Sequence, residues 1–205
     1  MITIIDYNAG NIRSVLRACA EVGVKAAITG DPQAVALAEK IIFPGVGAAP
    51  SAMAHLQKTG LDAALKNAFN AGVPVLGICI GTQIILDSSE EGPQKCLGLV
   101  AGQTVRFRLR DKTLKIPHIG WNEVKVVKAH PLLEGIKPGD EFYFVHSFYP
   151  RPAQQENVYA VAEYGGDFCC ALGYKNLFAT QFHPEKSGRL GLEFLGRFAR
   201  WEGKQ

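Results

Sequence analysis

The chain has 205 residues, of which 47% are apolar, and this is enough to form one globular domain with a buried core. Its 22 Lys and Arg residues nearly balance 19 Asp and Glu residues, and without a long basic run this composition argues against a nucleic-acid partner. The sequence also has no run of about 18 apolar residues and no signal-peptide pattern at its start, so we expect no membrane partner and a cytoplasmic location.

The first half of the chain alternates between short apolar runs and amphipathic segments. The apolar runs predict strands at 2–6, 24–28, 41–43 and 73–78. Helical spacing predicts one helix after Asn11, which we expect to cap it, and further helices at 61–71 and 81–86. This alternation predicts an α/β fold with an open, mixed but mostly parallel sheet that is flanked by helices.

The second half of the chain is rich in short β segments that are separated by Gly and Pro turns. These predicted strands cover 104–109, 123–127, 141–146, 158–164, 168–174 and 177–182. We expect them to extend the sheet and to add antiparallel strands. A closing helix is predicted from Ser187 or Gly188, and no linker interrupts the chain, so we expect one domain over 1–205.

The cysteines and histidines do not have the spacing of a disulfide framework or a metal site. The five cysteines are Cys19, Cys79, Cys96, Cys169 and Cys170. An odd number at irregular spacings favours a reducing compartment. The five histidines lack the close pairing of metal ligands, so we expect no metal.

One cysteine lies between two glycines, where a predicted strand turns into a predicted helix. The run Gly77-Ile-Cys79-Ile-Gly81 is the cysteine counterpart of the G-x-S-x-G nucleophile elbow, in which the glycines let the backbone turn sharply. A helix N-terminus and a nearby imidazolium both favour the thiolate, which is the nucleophilic form. Cys79 is therefore a candidate nucleophile, and the alternative is a buried core cysteine between small residues.

A candidate base lies near the C-terminus, in the run Gln181-Phe-His183-Pro-Glu185. Residues two apart in an extended segment point to the same side, so Glu185 is predicted to orient His183. The alternative is a surface turn with an incidental acid. Because open α/β sheets form their sites at the carboxyl ends of the strands, we expect this pair to meet Cys79 there.

Acyl transfer also needs hydrogen-bond donors for the oxyanion that develops in the transition state. The backbone N–H of Ile80, just after the nucleophile, is one candidate. The glycine-rich loop 44–47 follows a predicted strand and offers a second, at Val46. The loop is not a dinucleotide fingerprint, because Pro50 stands where the third glycine belongs, so we expect no cofactor. The remaining alternative is a simple turn.

These motifs resemble those of a known family, the class I glutamine amidotransferases. The segments around Cys79 (Gly-Ile-Cys-Ile-Gly-Thr-Gln) and His183 (Gln-Phe-His-Pro-Glu-Lys-Ser) resemble the triad of the whole class. Four further segments resemble the glutaminase subunits of imidazole glycerol phosphate synthase, namely 6–12, 44–47, 117–122 and 143–147. The resemblance covers nearly the whole chain and implies a flavodoxin-like sheet.

The resemblance implies a reaction and a partner. Cys79 would attack the side-chain amide of L-glutamine, His183 would pass a proton to the leaving ammonia, and water would release glutamate from a thioester. The positions implied to hold glutamine are Gly47, Gln83, Ser147 and Phe148. The family's partner is a (β/α)8-barrel cyclase subunit, in a heterodimer, which receives the ammonia and makes imidazole glycerol phosphate and an aminoimidazole carboxamide ribotide in histidine biosynthesis.

An aromatic and polar cluster beside the expected active-site edge suits a contact with that partner. Its residues are His118, Trp121, Asn122 and Lys186. The chain departs from the usual family pattern at Ala49, Ile80, Thr82, Cys96 and Phe148, and none of these removes a reacting group. Two alternatives stay open: the glutaminase subunit of pyridoxal phosphate synthase, and a catalytically silent subunit that binds a partner. The second would be expected to lack a triad member.

Overall fold

The computed structural model describes residues 1–8, 10–92 and 94–204, and an eight-stranded sheet forms its centre. In chain order the strands of this sheet are β1 (Ile2–Ile5), β2 (Ala26–Thr29), β3 (Ile41–Gly45), β4 (Val75–Cys79), β9 (Lys125–Val126), β12 (Val158–Glu163), β13 (Asp167–Tyr174) and β14 (Leu177–Thr180). Their spatial order is β2-β1-β3-β4-β14-β13-β12-β9. The strands from β2 to β14 pair in parallel and the remaining three pair antiparallel, which confirms the predicted fold class.

Two smaller antiparallel units stand beside the main sheet. One pairs β8 (His118–Glu123) with β10 (Glu141–His146). The other contains β5 (Ser88–Ser89), β6 (Gln94–Lys95), β7 (Gly102–Arg106) and β11 (Phe148–Pro152). The predicted strand at 123–127 contains β9 (Lys125–Val126), which pairs with β12, whereas β8, which pairs with β10, was not predicted.

The helices cover both faces of the main sheet. They are α1 (Ile12–Glu21), α2 (Pro32–Ala36), α3 (Ala49–Thr59), α4 (Leu61–Asn70), α5 (Ile80–Ile84) and α6 (Gly188–Arg200). The core between α3, α4 and the sheet is separate from the core that contains residues of α1 and α6. Among the described residues, none of the helices has the length and apolar character needed to cross a membrane.

Helix α3 was not predicted, because Pro50 follows Ala49 at its start. Proline is tolerated in the first turn of a helix, where the missing N–H has no partner in any case. Glu91 accepts a hydrogen bond from the Ala49 N–H at 2.7 Å, which satisfies another donor of that turn. The helix therefore begins directly after the glycine-rich loop and fixes its far end.

The parallel strands β3 and β4 end side by side. Gly45 is opposite Cys79 in the register of this pair, so the glycine-rich loop leaves the sheet next to the candidate nucleophile. This edge is the carboxyl end of the sheet, where α/β folds place their sites.

Candidate active site

Cys79 sits at a sharp turn between β4 and α5. Its backbone angles are φ 55° and ψ −106°, outside the regions that a non-glycine residue normally adopts. The flanking glycines leave the space for this turn. A Cβ on Gly81 would lie 1.9 Å from the carbonyl oxygen of Phe43, and a Cβ on Gly77 would lie 3.0 Å from the Cβ of Ala179. The expected elbow is therefore present in the backbone.

His183 and Glu185 form a buried pair. The distance from His183 Nδ1 to Glu185 Oε1 is 2.7 Å, and both side chains are 1% exposed. The predicted contact is present, but the extended backbone expected between the two residues is not: Pro184–Lys186 is a 3-10 turn. Proline in the first position of this turn favours it. Glu185 holds the Nδ1 nitrogen, and Nε2 has no hydrogen-bond partner among the described residues.

The charge balance around His183 favours the imidazolium. Burial by itself lowers the pKa of His183, but the charge of Cys79 and then that of Glu185 raise it by more, so the pKa is raised overall. An imidazolium beside a cysteine can deliver a proton to a group that the sulfur displaces. His183 is therefore close enough to Cys79 and to Glu185 for its charge to interact with both.

Asn11 was missed as a member of this site. It was predicted to cap α1, and it does occupy the N-cap position, but its side chain makes no cap hydrogen bond. Instead Asn11 Nδ2 donates to Glu185 Oε1 at 2.5 Å, the oxygen that also faces His183. The backbone of Asn11 is left-handed, with φ 59°, and this conformation accompanies a side chain turned away from the helix. Ala9, in the same segment, lies outside the described residues.

Two glutamine side chains connect the nucleophile to strand β11. Gln83 Nε2 donates to the carbonyl oxygen of Phe148 at 2.9 Å and to Gln181 Oε1 at 3.1 Å. Gln181 Nε2 in turn lies 3.6 Å from Cys79 Sγ. Gln83 Oε1 is buried and has no partner among the described residues, so it is an available acceptor. Gln181 stands inside the His183 motif but was not singled out from the sequence.

A cavity of about 340 Å³ opens at Cys79. Its wall includes the predicted oxyanion and glutamine positions Val46, Gly47, Ile80, Gln83, Ser147 and Phe148. Glu91 and Lys186 also line it, and no sequence motif indicated Glu91. Thr82, a departure from the family pattern, is fully buried and donates to the carbonyl of Thr180 at 2.5 Å. That residue therefore supports the turn beneath the cavity.

A directional chain of hydrogen bonds runs from β8 to this cavity. Asn122 Nδ2 lies 3.3 Å from His118 Nε2, and His118 Nδ1 lies 3.0 Å from His146 Nε2. His146 Nδ1 is 2.8 Å from the carbonyl oxygen of Phe148, which can only accept. Each neutral imidazole then donates from Nδ1 and accepts at Nε2. Burial lowers the pKa of His118 to about 4 and that of His146 to about 3, which keeps the chain neutral.

The residues predicted at a partner surface separate into two groups. His118 is only 3% exposed, so the prediction of a direct partner contact by this side chain is wrong. Trp121 is three positions further along β8, so its side chain is on the opposite face of the strand from His118, and it is 53% exposed. Lys186 Nζ lies 5.7 Å from the ring centroid of Tyr143, and the ring of Trp121 is 6.1 Å from that of Tyr143. Asn122 is half-buried and faces the His118 side of β8, where its Nδ2 donates to the carbonyl oxygen of Glu163 at 2.8 Å.

The other cysteines are free thiols that are buried away from the cavity. Burial raises the pKa of Cys19 and Cys96 to about 11 and that of Cys169 to about 12. The pKa of Cys170 is also raised by burial. These four thiols are packing residues of the core.

Comparison with known proteins shows the family. Residues 3–199 match the model of glutamine amidotransferase class-I, so the chain belongs to that class. A relative from Dehalococcoides mccartyi (strain CBDB1) is 46% identical over 199 residues, which are 97% of this chain and 96% of the relative. One from Nitratidesulfovibrio vulgaris (strain DSM 19637 / Miyazaki F) is 49% identical over 203 residues, 97% of this chain and 95% of the relative. Both are named imidazole glycerol phosphate synthase subunit HisH, which confirms the family predicted from the motifs.

Solved structures with the same fold are more distant in sequence. The structure of PurLQS from Thermotoga maritima superimposes with a TM-score of 0.74 at 19% identity, over 97% of this chain and 97% of that one. The glutaminase domain of Trypanosoma brucei CTPS, with bound acivicin, gives a TM-score of 0.69 at 18% identity, over 100% of this chain and 94% of that one. At this identity the likeness shows the fold alone.

Proposed function

We propose that this chain is a glutaminase subunit that hydrolyses glutamine through Cys79 and passes the ammonia to a separate synthase subunit. The observation that carries the proposal is a buried His183–Glu185 pair together with Cys79, which stands on a nucleophile elbow and lines the cavity of about 340 Å³. The names of the relatives support the same reaction class and the synthase partner.

The proposed reaction has two halves. Cys79 Sγ attacks the side-chain amide carbon of glutamine, and the proton on His183 Nε2 goes to the departing nitrogen, which leaves as ammonia. Glu185 holds the imidazole through Nδ1 at 2.7 Å in both halves. Water then attacks the thioester, with His183 taking its proton, and glutamate is released.

Two backbone N–H groups are proposed to stabilise the oxyanion. Ile80 is the first residue of α5, so its N–H has no acceptor within the helix and points outward at the turn. Val46 lies in the loop that leaves β3 opposite Cys79. Removal of one such donor typically costs about 10² to 10³ in rate. A loop conformation that withholds Val46 N–H would therefore keep the subunit nearly silent.

The cavity offers groups that match the rest of the substrate. Gln83 Oε1 is a buried acceptor without a partner among the described residues, and Ser147 and Phe148 line the same cavity. Glu91 is the carboxylate in the cavity wall, and we assign it to the α-ammonium of glutamine. Gly47 leaves room for the substrate, since a Cβ there would meet nothing within 4 Å.

The partner is proposed to be a (β/α)8-barrel cyclase that binds over Trp121, Asn122 and Lys186 and makes imidazole glycerol phosphate in histidine biosynthesis. The exposed indole beside a lysine suits an interface anchor. We further propose that the nucleotide substrate of the partner switches the glutaminase on, because ammonia released into neutral water is mostly protonated and lost as a nucleophile. The complex would reside in the cytoplasm.

The test measures glutamate release from the chain alone, with the barrel partner, and with the partner and its nucleotide. Activity should rise with both additions. A glutamine-analogue electrophile should label Cys79 in a peptide map, and Cys79→Ala should abolish turnover while Cys169→Ala retains it. Labelling at Cys169 or Cys170, or equal rates in all three conditions, would contradict the proposal.

A further inference from the structure

Gln181 carries a fully buried carboxamide beside the proposed nucleophile. Thr180 is opposite Ile78 in the register of β14 and β4, so the next residues along these two strands, Gln181 and Cys79, come side by side at the carboxyl end of the sheet. The backbone N–H of Gln181 donates to the carbonyl oxygen of Cys170 at 2.9 Å. The side chain therefore starts from a fixed point next to the sulfur.

A backbone carbonyl fixes which way the two neighbouring carboxamides point. The carbonyl oxygen of Phe148 can only accept, so the side-chain nitrogen of Gln83, and not its oxygen, must face it at 2.9 Å. The second hydrogen of this nitrogen points to Gln181, so the atom that faces it at 3.1 Å must be the oxygen of Gln181. The nitrogen of Gln181 is then left to donate to Cys79 Sγ at 3.6 Å.

The same chain of hydrogen bonds leaves one acceptor free at the cavity. Gln83 lines the cavity, and its Oε1 is buried without a partner among the described residues. A Gln83 amide turned the other way would present N–H groups there in place of an oxygen. Because Gln181 accepts from Gln83 and donates to the sulfur, one amide acts on both the nucleophile and the group that faces the substrate.

We propose that Gln181 is a positioning residue whose amide nitrogen holds Cys79 Sγ and whose amide oxygen holds Gln83 with its Oε1 toward an N–H group of the bound glutamine. This inference rests on the proposed glutaminase function and adds the residue that connects the nucleophile to a substrate contact. Gln181 is not among the described residues that line the cavity, so it acts through the other two side chains. A sulfur and an acceptor that are already oriented lose less freedom when the substrate binds and reacts.

Two substitutions separate the two halves of this amide. Gln181→Met keeps the length of the side chain but removes both the donor to the sulfur and the acceptor for Gln83. Gln181→Glu keeps an oxygen for Gln83 and removes only the donor, since a carboxylate turns a second acceptor toward the sulfur. If the amide served only to pack the core, both changes would alter stability and leave the chemistry of Cys79 as it is.

The test measures how fast a glutamine-analogue electrophile labels Cys79 in the full chain, alone and with the barrel partner. This reaction needs binding of the analogue and attack by the sulfur, but no transfer of ammonia. We expect the maximal labelling rate to fall about threefold to tenfold in both variants, which corresponds to one net hydrogen bond. The half-saturating concentration of the electrophile should rise by a similar factor in Gln181→Met alone. Asn157→Leu, which alters a buried amide that does not line the cavity, is the matched control and should be labelled as the wild type is.

The outcomes separate the inference from the function on which it rests. A wild type that is labelled at Cys79, together with an unchanged maximal rate in both Gln181 variants or an equal half-saturating concentration in the two, would overturn the role of Gln181 alone. A lowered thermal midpoint with labelling like that of the wild type would overturn it as well, since the amide would then be only structural. If Gln181→Glu does not fold, Gln181→Met decides, and a change in only one of its two labelling constants would count against the inference. A wild type that is not labelled at Cys79 would contradict the proposed function itself.

Discussion

The hydrogen bonds of Glu185 determine how the proposed triad works at the level of single residues. Its Oε1 oxygen faces both His183 Nδ1 and Asn11 Nδ2, whereas Oε2 is buried without a partner among the described residues. One oxygen therefore fixes the imidazole, and its orientation depends on a residue at the other end of the chain. The carboxylate orients the base and supplies charge, but it does not touch the reacting atoms.

Substitutions in the pair should therefore differ in severity. His183→Ala removes the group that moves protons and should lower kcat on the order of 10³-fold or more, whereas Glu185→Gln keeps an oxygen for Nδ1 and should cost roughly tenfold to hundredfold. Single-turnover rates of glutamate formation measure both. Slower turnover by Glu185→Gln than by His183→Ala would mean that the roles are wrongly assigned.

Sequence motifs identified the residues that react, but not those that support them. Cys79, His183 and Glu185 each stand in a short run whose spacing carries the chemistry. The contact between Asn11 and Glu185 spans 174 positions, and that between Glu91 and Ala49 spans 42, so no local pattern reports them. His118 was misjudged for the same reason, because its burial depends on strands that pair only in the folded chain.

The elbow between β4 and α5 depends on the absence of a side chain at one point. Gly81→Ala would place a Cβ against the carbonyl oxygen of Phe43, and this backbone atom cannot move aside as the end of a side chain can. We therefore expect the free energy of unfolding to fall by about 1–3 kcal/mol. Activity should be lost as well, because the elbow that holds Cys79 would be displaced. Gly196→Ala in α6 is the control. Its Cβ would meet only the end of the Arg200 side chain at 3.7 Å, and it should stabilise by about 0.5–1 kcal/mol. Denaturant unfolding measures the change in the free energy of unfolding for both variants, and a change of the same sign in Gly81→Ala and Gly196→Ala would contradict this prediction.

One lysine holds the C-terminal end of α6. Lys40 Nζ donates to the carbonyl oxygens of Phe198, Ala199 and Trp201 at 3.1, 2.7 and 2.5 Å. A cation at this end of a helix satisfies free carbonyls and complements the helix dipole. Lys40→Met should therefore lower the free energy of unfolding by about 2 kcal/mol.

The control for this prediction is Lys58→Met. Lys58 is exposed in the last turn of α3, and its replacement should change stability by less than about 0.5 kcal/mol. A loss for Lys40→Met no larger than that of the control would show that the lysine does not support α6.

Elements were predicted well where a long apolar run decided them. The strands β1, β3 and β4 fall within or close to the predicted ranges because a buried parallel strand is apolar throughout. Strand β8 was missed because Gly120 and the polar Asn122 interrupt its pattern, and its partner β10 supplies the pairing. The strand conformation of β8 therefore depends on pairing with a distant segment and not on its own residue pattern.

At the scale of the whole molecule, buried histidines should make stability depend on pH. Burial lowers the pKa of His118 and His130 to about 4 and that of His146 to about 3. In the unfolded chain a histidine has a pKa of about 6.5, so the stability is fully present above that pH and is lost as the pH falls toward 4. His183 adds almost no slope in this window, because the raised pKa keeps it protonated in the folded state and the unfolded imidazole is largely protonated there too; its contribution to stability is lost only as the pH rises through the raised pKa.

The expected size follows from three protons taken up on unfolding. Between pH 6 and 5 the free energy of unfolding should fall by about 3 kcal/mol. His130→Asn keeps an acceptor for the Leu132 N–H and should remove about a third of this slope, whereas His55→Gln on α3 serves as the control. Urea unfolding at a series of pH values measures the slopes. The same slope in His130→Asn as in the wild type would show that this imidazole is not kept neutral by the fold.

Because Cys19, Cys96, Cys169 and Cys170 are buried away from the cavity, an oxidant such as peroxide would react with them less readily than with Cys79. A thiol that burial keeps protonated reacts slowly with peroxide, whereas the sulfur of Cys79 lines the cavity and can be reached, so it is oxidised first, to the sulfenic acid. Damage to this chain would therefore be concentrated on one sulfur atom. A cell could lose ammonia supply to the synthase by a single chemical event per molecule, without unfolding, and a reductant could restore it while the oxidation remained at its first stage.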